Sequence, residues 1–132
     1  MRARPGPVIL IAEDFEDARD LYKDYLEFSG FTVETARNGL EAIDLATSLQ
    51  PDLIPMDASM PVLDGWQATR KLKANPATRH IPVLALTAHA FDDARLEARS
   101  SGCDGFVTKP CLPDDLVAQV RATLEVGRKR RK

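Results

Sequence analysis

Apolar residues along this chain fall into two alternating patterns. Short, nearly continuous runs occupy 8–12, 31–35, 53–56, 83–87 and 106–108. Runs of this length, bounded by turn signals, predict strands buried on both faces. Between them the apolar positions recur at steps of three and four, the period of a helix with one covered face. Leu21, Tyr22, Tyr25, Leu26 and Phe28 form the first such stripe, and Gly30 follows as a C-terminal stop. Leu40, Ile43, Ala46 and Leu49 form the second, ending before Pro51; 66–73 is a shorter third, closed by Asn75-Pro76. A weaker, charge-rich stretch at 92–100 ends at Gly102, and Leu116, Val117, Val120 and Leu124 make the last stripe. Trp66 and Tyr25 are expected in the core or between helices.

Strand then helix, five times over, predicts an α/β fold: a doubly wound, five-stranded parallel sheet with helices on both faces, joined by right-handed crossovers. In such sheets ligands gather beyond the carboxyl ends of the strands, near the point where strand order reverses. That end is where the isolated polar residues fall. Glu13-Asp14 follows the first run, Asp57 the third, Thr87 closes the fourth, and Lys109-Pro110 follows the fifth.

Composition narrows the reading without redirecting it. A chain of 132 residues, 44% apolar and 29% charged, fits one domain with a real core. The organisation expected is a basic N-terminal extension at 1–7, a folded unit at 8–126 and a basic, frayed tail at 127–132. A formal net charge of −2 gives no general attraction to polyanions, so neither a nucleic-acid nor a membrane partner is expected. Cys103 and Cys111 are too few for a metal or disulfide framework, and the apolar run at 8–12 is too short for a signal sequence or a span. A cytoplasmic protein is the expectation.

Three carboxylates gathered at one sheet edge repel each other by roughly 4 kcal/mol per pair at about 4 Å and an effective dielectric near 20. A cation is therefore expected among them. Oxygen ligands without histidine or thiolate favour Mg²⁺, with Asp14 and Asp57 as direct ligands. Lys109 brings a compact point charge suited to a phosphoryl oxygen, and Thr87 a hydroxyl donor, so the set describes phosphoryl transfer. Each residue has a plainer reading. Glu13-Asp14 could simply start a helix; Thr87 could be an ordinary strand end, Phe106 plain core and Lys109 a solvated cation. Their coincidence at strand ends weighs against those readings, except for Phe106, where the two readings stand level. His80 and His89 have no ligand spacing.

With Glu13-Asp14, the run Asp57-Ala58-Ser59-Met60-Pro61, Thr87 and Lys109-Pro110 in this order, the chain resembles the receiver domain of two-component response regulators, of single-domain type, over nearly its whole length. The resemblance implies a flavodoxin-like sheet of strand order 2-1-3-4-5. It makes Asp57 the phosphoacceptor, taking a phosphoryl group from a sensor histidine kinase or a histidine phosphotransfer protein. Asp14 would bind Mg²⁺ directly, Glu13 through water, and Ser59 by its backbone carbonyl. Thr87 would hydrogen-bond the new phosphoryl group, Phe106 would turn into the space it leaves, and a downstream protein would read the face of the fourth helix and fifth strand. The Lys109-Pro110 peptide would be cis. Such a domain is not an enzyme in itself but assists its own phosphorylation and dephosphorylation, and Ser59 and His89 are placed to alter how fast water removes the phosphate. Two other functions stand beside this one: an Mg²⁺-dependent phosphohydrolase with an Asp nucleophile, and a degenerate receiver that only binds partners. The chain departs from the family pattern at Glu13, where aspartate is commoner; at Phe106, which lacks a tyrosine's hydroxyl; and at Pro55, a proline in what should be a central strand.

Overall fold

Five strands and five helices alternate in the computed structural model, which describes residues 6–88, 92–109 and 112–130. They are β1 (Val8–Ala12), α1 (Glu16–Phe28), β2 (Thr32–Ala36), α2 (Gly39–Leu49), β3 (Ile54–Asp57), α3 (Gly65–Ala74), β4 (Val83–Thr87), α4 (Asp92–Ser101), β5 (Gly105–Thr108) and α5 (Pro113–Arg130). The sheet is parallel throughout, in the order β2-β1-β3-β4-β5. This is the doubly wound, flavodoxin-like topology that the alternation predicts, with most strand bounds within a residue of the apolar runs.

Period-two alternation divides the core into two layers. Ile9, Ile11, Leu84 and Leu86 point to one face and meet Tyr22 and Leu26 of α1 and Leu116, Val117 and Val120 of α5. Leu10, Ala12, Ile54, Met56 and Val83 point to the other and meet Ala42 and Ala46 of α2 and Ala68 and Leu72 of α3. Each fully buried Leu or Ile contributes roughly 1.5–3 kcal/mol. Those two layers hold rigid the strand ends that carry the polar residues.

Three expectations need correction. Of the α1 stripe only Tyr22 and Leu26 are buried; Leu21, Tyr25 and Phe28 lie exposed, Phe28 at 93%. A single helix resting on a sheet covers an arc narrower than its apolar residues span. β2 is displaced one residue, to Thr32–Ala36, because its register on β1 aligns Val8 with Thr32. The helical backbone of α5 runs to Arg130, through residues expected to fray. Lys and Arg are good helix formers, their charges suit a helix C-terminus, and Gly127 alone is a weak stop.

Pro55 does sit inside a central strand, and its cost is visible. Ile54 and Ala58 donate their N–H groups to Pro82 and Leu86, so even-numbered residues of β3 bond toward β4. The amide that Pro55 lacks therefore faces β1. There the pairing shrinks to an isolated bridge, Ile9 with Leu53, and one pair, Ala12 with Met56. The β4 ladder remains continuous from Ile54 to Asp57. Asp57 is thus anchored from the side that the proline does not disturb.

Candidate functional site

Glu13 leaves β1 with its N–H bonded to the Ala36 carbonyl at 3.0 Å, which fixes the chain's exit between the first two strands. Its side chain is fully buried: Oε1 accepts from Lys109 Nζ at 2.9 Å and Oε2 from the Phe15 N–H at 3.2 Å. Asp14, the next residue, is exposed. Asp57 is 4% exposed at the end of β3, where Ser59 N–H donates to its Oδ1 at 3.1 Å. One carboxylate oxygen from each of Glu13, Asp14 and Asp57 lies within 4.8 Å of the others.

Lys109 comes from the opposite side. Its N–H bonds the Thr87 carbonyl at 2.6 Å, which holds the residue beside β4 as the chain leaves β5. From there Nζ reaches Glu13, and lies 3.5 Å from Asp57 Oδ2. Burial favours the neutral amine, but the hydrogen bond to Glu13 and the charges of both acids outweigh it and raise the ammonium's pKa. Asp57 is raised too, to about 7. Burial is the main cause, then its hydrogen bond to Glu13 and that residue's charge, against the opposing pull of Lys109 and the Ser59 N–H. Without a further cation, Asp57, the nucleophile of the expected reaction, is therefore partly protonated near neutral pH.

Thr87 is buried at the end of β4. Phe106 is half-buried and pairs in register with Ala85, so Thr87, two residues on from Ala85, shares its sheet face. The two candidate switch residues are therefore neighbours across adjacent strands. Ser59 is exposed at the rim. His89 and Pro110, with the cis peptide expected before it, lie outside the described residues, as do the first five residues and Cys111.

Sequence reasoning passed over two residues that shape the site. Gly65 opens α3 with its N–H on the Ala58 carbonyl at 3.0 Å, and a Cβ there would stand 2.2 Å from the Asp57 carbonyl oxygen. Only glycine permits that approach. A signal existed: Asp64 and Gln67 form a capping box that marks the start of α3. The second residue is Arg19, whose guanidinium donates to the Glu13 carbonyl at 3.0 Å; spacing gave no hint of it. Between Asp57 and α3, exposed Val62 has φ +71° where Leu63 N–H bonds the Pro61 carbonyl at 2.7 Å, a tight and strained turn for a β-branched residue.

The donor set fits one hard divalent ion. All three groups are carboxylates, they converge from the loop after β1 and the last residue of β3, and the like charge they concentrate is only partly offset by Lys109. Mg²⁺ needs one or two such ligands and keeps waters for the rest.

Comparison with known proteins agrees with this geometry. Residues 9–121 match the model of the response regulator receiver domain. The chain is 38% identical over 116 residues to the polar-differentiation response regulator DivK of Brucella anthropi, covering 88% of this chain and 94% of that protein. Among solved structures, the signal receiver domain of a signal transduction histidine kinase from Syntrophus aciditrophicus is 37% identical, with a TM-score of 0.84 and 91% of each chain covered. The receiver domain of sensor histidine kinase PA1611 from Pseudomonas aeruginosa PAO1, which holds a magnesium ion coordinated in its active site cleft, is 30% identical with a TM-score of 0.84; 91% of this chain and 98% of that one are covered. With the matched segment taking in all five strands but for Val8, and every acid of the cluster, the chain belongs to the response regulator receiver domain family.

Proposed function

We propose that this protein is a phosphorylatable switch whose acceptor is Asp57, loaded from a phosphohistidine on a sensor histidine kinase or a histidine phosphotransfer protein. One observation carries this reading: the Lys109 ammonium approaches Glu13 and Asp57 while three carboxylates converge within 4.8 Å. In the transfer, an Asp57 carboxylate oxygen attacks phosphorus, the P–N bond breaks, and the histidine ring, protonated on its other nitrogen, departs with the bonding pair as neutral imidazole. Asp14 and Asp57 would hold Mg²⁺, with Glu13 acting through water and Ser59 through its carbonyl. When bound, the ion would neutralise the acids and the phosphoryl oxygens facing them.

Lys109 is tethered to Thr87 by its backbone, so its charge is preorganised for a phosphoryl oxygen rather than recruited during the reaction. Thr87 would donate to that group, and Phe106, on the same sheet face, would follow it. The bistable element is the α4–β5 face, read by a downstream protein. Water attacking phosphorus at rates set partly by Ser59 and His89 returns Asp57 and releases inorganic phosphate. The protein thus promotes its own chemistry without turning over a free substrate. Among the described residues no helix is long and apolar enough to cross a membrane; a cytoplasmic setting suits a kinase-coupled switch.

Incubation with Mg²⁺ and acetyl phosphate separates this function from a phosphohydrolase. The expected result is one phosphoryl group per chain, seen by intact mass, absent in Asp57→Asn, with no sustained turnover of p-nitrophenyl phosphate. Multiple turnovers of that ester lost in Asp57→Asn would instead establish a phosphatase.

A further inference from the structure

Glu13 and Asp14 lie in neither a strand nor a helix: β1 ends at Ala12 and α1 begins at Glu16. The three-residue link of Glu13, Asp14 and Phe15 must present two carboxylates toward Asp57 although their charges repel. Its backbone is tied down almost group by group. The Glu13 N–H goes to Ala36, and the Phe15 N–H to the Glu13 side chain. The two remaining carbonyls, of Glu13 and Asp14, both receive the same guanidinium nitrogen: Arg19 Nη1 lies 3.0 Å from the first and 3.5 Å, a long contact, from the second. Arg19 is itself fixed, since it is half-buried in the opening turn of α1, where its own N–H closes on the Phe15 carbonyl at 2.9 Å.

We propose that Arg19 is a positioning residue for the divalent-ion site, holding the Glu13 and Asp14 peptides so that their carboxylates stay aimed at Asp57. Guanidinium suits the task because it is always charged, donates only, and is rigid enough to hold two acceptors at once. The carbonyls it holds belong to the same residues as two of the three acids. Rotation of either peptide would swing a carboxylate off the site. Partners of this kind, one shell beyond the ligands, govern metal affinity.

This inference rests on the reading of the acids as Mg²⁺ ligands, and the test separates the two. Half-buried Trp66 adjoins Gly65, which is bonded to the Asp57–Ala58 segment, so its fluorescence can report MgCl₂ titrations of the unphosphorylated protein, alongside calorimetry. Saturable binding by the native chain that Asp14→Ala weakens is required by the ligand assignment; its absence overturns that assignment and this inference with it. Given binding, Arg19→Met, which keeps the stem and helix propensity but no donor, should raise the Mg²⁺ Kd roughly tenfold. Its melting temperature should stay close to that of a Lys23→Met control, and Arg19→Lys, which can still donate, should recover most of the affinity. A Kd for folded Arg19→Met within twofold of the native value overturns the inference alone. Equal weakening in Met and Lys variants also overturns it, because donation would not then be what matters. Should Arg19→Met fail to fold, Arg19→Gln, too short to hold both carbonyls, is read against the same thresholds.

Discussion

Under the proposed function Asp57 would meet two opposed demands: burial to control water around an acyl phosphate, and charge to attack phosphorus. Burial and Glu13 raise its pKa to about 7. A carboxyl raised from its unfolded value of 3.8 favours the fold fully below about pH 4 and loses that contribution as pH climbs through 7. Metal-free protein should therefore lose on the order of 1–3 kcal/mol of stability between pH 4 and neutrality from this group. Asp57→Asn should remove that loss, making the metal-free variant more stable than the native chain at neutral pH in urea melts. Lys109 acts on the same carboxylate with opposite sign. Lys109→Ala should slow labelling by acetyl phosphate by roughly 10²–10³-fold, as loss of one preorganised charge does, while leaving Mg²⁺ binding intact. Initial rates at saturating Mg²⁺ check this.

Elements deliver those residues, and here the sequence was most legible. Apolar runs marked the strands because parallel strands are buried on both faces, and each acid, hydroxyl or amine stood where a run stopped. Long-range packing was not legible. Nothing local distinguishes Tyr22 from exposed Tyr25, since both satisfy the helical period and only the sheet decides which is covered. Pro55 was seen, but the side it would damage depends on register, and register put its missing amide toward β1. Gly65 resembles any helix-starting glycine until β3 lies against it. Gly65→Ala would force α3 away from the Asp57 carbonyl, at about 1–3 kcal/mol of overpacking, and should slow labelling as well as lower the urea midpoint. A lower midpoint with unchanged labelling would mean that α3 can shift without moving Asp57.

Across the whole molecule, the carboxyl end of the sheet concentrates acid while two hydrophobic layers hold it still, so binding of an ion there would be linked to folding. Mg²⁺ at 100 times its Kd should add about 2.7 kcal/mol, raising the melting temperature by several degrees. That gain should grow from pH 5 to neutrality as Asp57 gives up its proton, and shrink sharply in Asp14→Ala. Family membership follows from the matched chain, whereas the partners are written on exposed faces whose complements lie elsewhere. The chemistry itself can be read at one residue. Borohydride reduces an aspartyl phosphate to homoserine, so the native protein treated with acetyl phosphate and Mg²⁺, reduced and digested should carry homoserine at position 57, and none when EDTA replaces the metal. Homoserine at another acid, or none at 57 despite Mg²⁺, would contradict the assignment of Asp57 as phosphoacceptor.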